Sequence, residues 1–273
     1  MALTSNTTHK LTNKQLSIQI SLNGLSFCVL NQSTNTITAL KKIDFSKKLN
    51  PIKLLEKVEN IFKTEKSLQD SFSSVTLIHE NELSTLVPKH LFNEDALADY
   101  LKFNAKIFQT DFISFDETTN SNAVSVYVPY VNINNYIYDK FGAFTFKHIS
   151  TILIENILEA EKHTNQPKVY INVNTSNFEL VVVNNNKLVF YNTFEYVTKQ
   201  DFIYYILFTA EQLQLNPEVF NLVFVGDIDD TDEFYKITYK YVRNVSFGNS
   251  IGNYNFIEKP KHKHSFFTLI KSF

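Results

Sequence analysis

The sequence predicts a two-domain α/β fold in which both halves follow one plan and each half opens with a three-strand β-meander. Residues 168–194 contain three β-rich runs separated by tight turns at 175–177 and 184–186. These turns are rich in Asn, which tolerates the left-handed backbone that hairpins need. Residues 16–45 repeat the same order of strands. In both halves an apolar-periodic helix and a short buried strand follow the meander, so the plan is duplicated.

Local signals mark the elements of the first half. Asn23-Gly24 is a strong hairpin signal between the first two strands. Pro51 suits the first turn of a helix, and Asn93 suits the cap of another. In order, we expect strands at 16–21, 25–31 and 36–45, a helix at 51–62, strands at 75–79 and 83–88, a helix after 93, strands at 112–116 and 123–128, a helix at 129–141 and a strand at 143–147.

The second half starts with a connecting helix, which we expect Ser150 to cap and which runs through Lys162. After the meander we expect a helix at 201–215, a strand at 222–225, a helix at 232–240 and a strand at 243–247. The C-terminal residues 266–273 are so apolar that they should pack back against the body. The expected domains are residues 1–148, with extra elements at about 83–141, and residues 149–273.

Composition excludes several classes of function. The chain has 273 residues, of which 44% are hydrophobic, so it can bury a sizeable core. Its net charge is −2 and Arg243 is its only Arg, a pattern that argues against nucleic-acid binding. The single cysteine, Cys28, allows no disulfide within one chain. The polar N-terminus lacks the apolar core of a signal peptide, and no apolar run is long enough to span a membrane. We therefore expect a cytoplasmic protein.

Two tracts carry a resemblance to a known superfamily. Residues 169–190, VYINVNTSNFELVVVNNNKLVF, resemble the second phosphate loop of the type IV pilus assembly protein PilM. Residues 142–158 are similar to the strand and helix that precede that loop. The whole chain resembles a bacterial actin-like ATPase-fold family of unknown function, related to PilM and FtsA. The resemblance implies a duplicated actin-like (ribonuclease H-like) fold with a nucleotide cleft between its domains.

In that superfamily, two loops each carry an Asp that positions a hydrated metal and a Gly that lets the backbone approach phosphate. A third loop carries a pair of glycines. By position, Ser21 and Asn23 replace the first Asp and Gly, and Asn172 and Asn174 replace the second. The positions that the resemblance implies for the altered nucleotide loops are Ser21, Asn23, Gly24, Asn172, Asn174, Thr175 and Gly226.

Without these carboxylates, the loops lack the side chains that would bind a metal ion or act as a general base. A divalent metal has no charged anchor there, and Asn cannot act as a general base. We expect Asn172 to point into the cleft, within reach of water. The sequence therefore predicts no catalytic residue, no metal and no cofactor, with ATP and magnesium as the alternative.

Other polar patterns have plainer interpretations. Residues 227–233 resemble a calcium loop, but Asp232 stands where the turn glycine is required, so an acidic helix start is the better interpretation. His262 and His264 lie in a Lys-rich linker without a third ligand. Glu155, Glu159 and Glu161 lie on one predicted helix, and the face that the first two share is expected to be solvated.

Functions from different classes remain open. The leading hypothesis is a non-catalytic scaffold that binds another protein or a short peptide on its first domain, as the resemblance to PilM implies. The tyrosines at 127, 130, 136 and 138 suit either such an interface or a core. The alternative is a divergent ATP-binding protein or weak ATPase. A small-molecule kinase would need a catalytic Asp in the cleft, and Asp44 and Asp116 are the nearest unassigned acids.

Overall fold

The computed structural model describes residues 12–273. The sequence also predicts that the polar residues 1–14 are frayed, and residues 1–11 of this stretch lie outside the described part. The elements of the first half are β1 (Lys14–Ile20), β2 (Gly24–Asn31), β3 (Thr36–Asp44), α1 (Pro51–Thr64), β4 (Ser74–His79), β5 (Ser84–Pro88), α2 (Leu97–Leu101), β6 (Ser114–Glu117), β7 (Ala123–Tyr127), α3 (Val131–Phe141) and β8 (Thr145–His148).

The second half begins with a helix that lies between the larger sheets and ends with a short helix at the C-terminus. Its elements are α4 (Ile149–Ala160), β9 (Lys168–Val173), β10 (Asn177–Asn184), β11 (Lys187–Glu195), α5 (Lys199–Gln212), β12 (Asn221–Gly226), α6 (Glu233–Tyr241), β13 (Asn244–Phe247), β14 (Asn255–Phe256) and α7 (Phe267–Ile270). Three-residue 3₁₀ turns occur at Lys66–Leu68, Lys89–Leu91 and Glu94–Ala96.

Strand pairing confirms the duplicated plan. The first large sheet has the order β14-β3-β2-β1-β4-β8, and the second has the order β11-β10-β9-β12-β13. In each sheet three antiparallel meander strands are followed by a parallel strand beside the first of them, β4 beside β1 and β12 beside β9. A separate sheet, β5-β7-β6, is inserted in the first half between β4 and α3.

Helix ends follow local capping chemistry. The Asn50 side chain accepts a hydrogen bond from Lys53 N ahead of Pro51 at the start of α1. Thr198 and Asp201 form a capping box at the start of α5. The predicted cap of α4 at Ser150 is wrong, because the side chain of His148 accepts from Ser150 N and the helix begins at Ile149.

The predicted cap at Asn93 also differs in detail. Asn93 caps the 3₁₀ turn at Glu94–Ala96, and α2 follows only at Leu97. The expected helix is therefore split into a 3₁₀ turn and a five-residue α-helix.

Apolar clusters cover both faces of each large sheet. One face of the first sheet packs on α1 and α3, and one face of the second packs on α5 and α6. Between the sheets lies α4, whose Ile149 and Ile152 join the cluster around Cys28 while Leu153 and Ile157 join the cluster around Val181. The C-terminal residues pack back, as predicted, with α7 contacting α4, β1 and β2. The expected domain boundary at 148/149 stays a prediction.

Candidate functional site: the cleft between the meanders

The structure brings all seven residues of the predicted nucleotide loops to one small cavity between the two large sheets. The cavity is also lined by side chains that the sequence analysis left out, among them Gln19, Lys42, Glu80, Asp227 and Thr268. The predicted residues that line it are Ser21, Asn23, Gly24, Asn172, Asn174, Thr175 and Gly226.

The two meander turns have the same geometry, and this corrects the predicted equivalence. Ser21 N donates to Gly24 O at 3.0 Å, and Asn174 N donates to Asn177 O at 2.9 Å. Ser21 is therefore the counterpart of Asn174. Two residues earlier, the counterpart of Asn172 is Gln19, which the sequence analysis missed. Counting back from both turns in the same register would have found it.

Asn172 does not reach water, contrary to expectation. Its side chain is only 2% exposed, and its Nδ2 donates to Glu179 Oε2 at 2.8 Å. Asn174 Nδ2 donates to the same carboxyl at 3.0 Å and 3.1 Å. Glu179 lies opposite Asn172 on β10 and is 1% exposed. Glu179 is a charged residue within an otherwise apolar run of β10. The alternation of the strand does not report that its carboxyl is buried.

A second carboxyl lines the same cleft from the first half. Glu80 follows β4, and its Oε2 accepts a hydrogen bond from Gln19 Nε2 at 2.8 Å. Burial raises the pKa of Glu80 to about 7, and the charges of Asp227 and Asp44 act in the same direction. Burial raises the pKa of Glu179 to about 8, with a further contribution from the charge of Glu80. The cleft therefore holds two carboxyls whose charge changes near neutral pH.

Direct contacts join the two halves across the mouth of the cleft. Lys42 Nζ lies 2.5 Å from Asp227 Oδ2 of the second half and 2.9 Å from Asp44 Oδ1 of its own half. Thr175 Oγ1 donates to Asp44 Oδ1 at 3.2 Å. Beside them, Asn23 Nδ2 donates to Ser176 Oγ at 2.6 Å. These bonds occupy the turn side chains that would otherwise face a ligand.

At Gly226 the backbone of β12 comes very close to that of the neighbouring strand β9. Its φ is +85°, and a Cβ there would meet Val173 O and, at 2.8 Å, Asn172 Oδ1. Its N–H donates to the carbonyl oxygen of His264 at 3.0 Å, so the C-terminal segment covers this position. Glycine is therefore required here by strand–strand contact and by a left-handed φ, irrespective of any phosphate.

The C-terminal segment also fills the interior of the cleft. Phe266, Phe267 and Leu269 line the cavity, and Thr268 Oγ1 donates to Gln19 Oε1 at 2.5 Å. The remaining volume is about 50 Å³, room for roughly one or two water molecules. Sites for small organic ligands usually measure about 300–1,000 Å³. The cleft cavity is therefore several times smaller than such a site.

The other polar candidates are structural. Asp116 accepts from His148 N and Thr151 Oγ1, both at 2.8 Å, and so ties β6 to the start of α4, outside the cleft cavity. Asp229 accepts from Thr231 N at 2.8 Å in the turn before α6, as expected for a helix start. Within residues 12–273 no group of three or more His, Cys, Asp or Glu is arranged to hold a metal ion.

The face of α4 that carries Glu155 and Glu159 is only partly solvated, and Glu161 follows the helix as its C-cap residue. Glu155 Oε1 accepts from Thr119 N at 3.0 Å and is partly buried. Glu161 is buried beside Lys168 and Tyr170. Only Glu159 is exposed, pairing with Lys162. Two of the three carboxylates therefore hold α4 to its neighbours.

A second cavity, of about 420 Å³, lies in the first half beside the inserted sheet. It is mainly apolar, and Phe108 and Phe112 on its wall are 65% and 54% exposed. The tyrosines proposed for an interface are divided: Tyr127 and Tyr130 are buried in the core, whereas Tyr138 is exposed. Phe108 and Phe112 are therefore the exposed aromatic side chains that line this cavity, and Tyr130 contributes to its floor.

No helix in the described part of the chain is both long and apolar enough to cross a membrane.

Comparison with solved structures places the fold in the class of actin-like ATPase folds. The chain superimposes on a Bacteroides thetaiotaomicron protein of actin-like ATPase fold and unknown function with a TM-score of 0.77 and 22% identity, covering 87% of this chain and 91% of that one. It is also similar to a chain of the PilM–PilN type IV pilus biogenesis complex, with a TM-score of 0.62 and 11% identity over 94% of this chain and 96% of that one.

The chain belongs to the family described as "Protein of unknown function (DUF3822)", whose model matches residues 4–245. No curated protein matches the chain. The predicted actin-like fold and the predicted likeness to PilM are thereby confirmed.

Proposed function

We propose that this protein is a non-catalytic scaffold of the actin-like fold that binds another protein or a short peptide through its first domain. Its interdomain cleft is then an altered nucleotide site that takes no nucleotide. The observation that carries the proposal is the state of this cleft, which is bridged by side chains at its mouth and retains a cavity of only about 50 Å³.

The side chains of the cleft do not fit magnesium and a triphosphate. Gln19, Ser21, Asn172 and Asn174 supply amides and a hydroxyl where a hydrated divalent ion needs fixed negative charge. Glu80 and Glu179 are carboxyls, but burial raises the pKa of each and so disfavours their charged forms. Asp44 and Asp227 also line the cleft, and both are paired with Lys42. We therefore assign no step of catalysis to this cleft.

The groove at Phe108 and Phe112 is the surface best suited to a partner. It combines a cavity of about 420 Å³ with exposed aromatic side chains on its wall, and aromatic anchors in concave sites dominate most protein interfaces. The similarity to PilM supports this proposal, because that structure is of PilM in a complex with PilN. The exposed Phe side chains would be buried by a bound peptide.

Nucleotide titration tests the first part of the proposal. A ligand at 100 times its Kd stabilises a fold by about 2.7 kcal/mol, so binding of MgATP would raise the melting temperature visibly. We expect no change at millimolar MgATP and no hydrolysis above background. An upward shift that disappears when Mg²⁺ is chelated would instead favour the alternative, a divergent ATP-binding protein or weak ATPase.

Peptide selection tests the second part. Peptides selected from a displayed random library on the purified protein are titrated against wild type and against Phe108→Ser/Phe112→Ser. We expect the double variant to lose at least about tenfold in affinity, which is about 1.4 kcal/mol. The matched control is Tyr204→Ser, an exposed aromatic of the second half, which should bind like wild type. If the selected peptides bind the Phe108→Ser/Phe112→Ser variant with the same affinity as wild type, the binding surface lies elsewhere.

A further inference from the structure

The C-terminal segment 263–273 is held between the two halves by polar contacts as well as by apolar ones. Gly226 N donates to His264 O at 3.0 Å on the side of the second sheet. On the side of the first sheet, Ser272 Oγ donates to Ser17 Oγ at 2.6 Å, and Thr268 donates to Gln19. The segment thus closes the cleft by contacts to both halves, and its position depends on the distance between them.

The backbone is strained where this segment turns into α7. Phe266 has φ +54°, in the left-handed region, which is a genuine outlier for a bulky residue and costs on the order of 1–3 kcal/mol. The helix that follows has only four residues. Release of the segment would relieve this strain, so the docked state depends on the contacts beyond Phe266.

Two successive hydrogen bonds link the segment to Glu80. Gln19 accepts from Thr268 through Oε1 and donates to Glu80 through Nε2. Glu80 and Asn172 line the same cavity, and the charge of Glu80 contributes to raising the pKa of Glu179. Glu179 is fixed in the second half by Asn172 and Asn174. The contact between Thr268 and the first half is therefore one hydrogen bond away from Glu80.

We propose that Glu80 and Glu179 form a protonation-controlled latch that keeps the C-terminal segment 263–273 docked in the cleft when they are neutral and releases it when both are ionised. Glu80 lines a cavity of about 50 Å³, and Glu179 lies behind its wall, hydrogen-bonded to the lining residues Asn172 and Asn174. Two negative charges at these positions repel one another and draw in water. The halves then separate at the cleft, and the segment loses its contacts to Gln19 and Gly226.

The surroundings of the two acids place their ionisation near neutral pH. The pKa of Glu80 is about 7 and that of Glu179 is about 8, both raised mainly by burial. Lys42, whose charge lowers the pKa of Glu80, is already paired with Asp44 and Asp227. The titratable groups that face the two acids are Lys42 and Asp44 on β3, Asp227 after β12, Tyr191 on β11 and Tyr196 after it. None of these side chains supplies a free positive charge.

Cys28 is a built-in reporter of undocking. It is fully buried in the cluster that contains Leu269 and Ile270 of α7. We would measure the rate of Cys28 modification by an aromatic disulfide reagent from pH 6 to pH 9, in wild type and in Glu80→Gln/Glu179→Gln. At each pH the wild-type rate is divided by the rate of the double variant. This ratio removes the effect of thiol ionisation, because ionisation of Cys28 affects both rates alike. We expect a ratio near one at pH 6 that rises at least about tenfold by pH 9, since labelling of a closed site follows its open population.

A control separates undocking from unfolding of the whole chain. Val58 is buried in the other cluster of the first half, away from the segment. In a Cys28→Ser background, Val58→Cys should stay protected over the same pH range. Exposed Glu117→Gln should behave like wild type at Cys28. A flat rate ratio, or labelling at residue 58 that rises in step with Cys28, would overturn the latch.

Discussion

The two halves of the molecule share a framework and differ at the cleft. β4 and β12 each have six residues and end beside the meander in the same register, so Glu80 is the counterpart of Asp227 and His79 that of Gly226. On the neighbouring strands, Ser26 of β2 is the counterpart of Glu179 of β10. The first half therefore places its carboxyl at the end of the parallel strand, and the second half has one there and another inside the meander. Equivalent backbones thus carry an asymmetric set of charges.

The shared framework of the two halves should be more sensitive to substitution than the cleft side chains. Val173 and its counterpart Ile20 are both buried in apolar clusters. Val173→Asp should cost about 4 kcal/mol or more in free energy of unfolding, because it places an unpaired charge in a core. Ile20→Asp should cost a similar amount. Urea unfolding checks both, and a large difference between the two would show that the halves do not contribute equally to one cooperative fold.

Gly226 distinguishes the second half from the first, where His79 takes its place. Gly226→Ala should cost about 3 kcal/mol, since it combines a left-handed φ with a clash against Val173 and Asn172. Gly142→Ala is the matched control, with φ +77° but no atom within 4 Å of the new Cβ. It should cost about 1–2 kcal/mol. Equal losses in the urea midpoints would mean that the close contact at Gly226 is unimportant.

Periodicity and turn residues were sufficient to predict the framework, because the alternation around Val173 and the Asn-rich turns are local signals. The resemblance to the actin-like superfamily supplied the seven loop residues that line one cavity. It failed for Gln19, since the first loop was matched to the second in a register two residues out. Glu179 and Glu80 were missed for another reason. Their importance comes from burial between two halves that are distant in sequence, and no local pattern reports such burial.

Asn172→Asp tests the buried amide–carboxyl contact. The substitution removes a donor to Glu179 and adds a second carboxyl beside it, so it should cost about 2 kcal/mol at pH 8. The pKa of Glu179 in the folded protein is raised to about 8. Its contribution to the free energy of unfolding is therefore fully present below the ordinary pKa of a Glu side chain and is lost as pH rises to about 8. The loss from Asn172→Asp should therefore be smaller at pH 6. Gln19→Glu, beside Glu80, should show the same trend. Urea midpoints measured at pH 6 and pH 8 check both variants, and a loss that is the same at the two pH values would contradict the prediction.

The ion pairs across the cleft should contribute least. The side chains of Lys42 and Asp227 are 28% and 37% exposed, and those of Lys48 and Glu195 are 47% and 61% exposed. Exposed pairs contribute about 0.2–1 kcal/mol, so a double-mutant cycle with Lys42→Met and Asp227→Asn should give a coupling energy near the upper end of this range. The cycle with Lys48→Met and Glu195→Gln should give one near the lower end. Both couplings should weaken in high salt, because solvent-accessible charges are screened. A coupling at Lys48–Glu195 larger than that at Lys42–Asp227 would show that closure of the cleft is controlled at its outer rim.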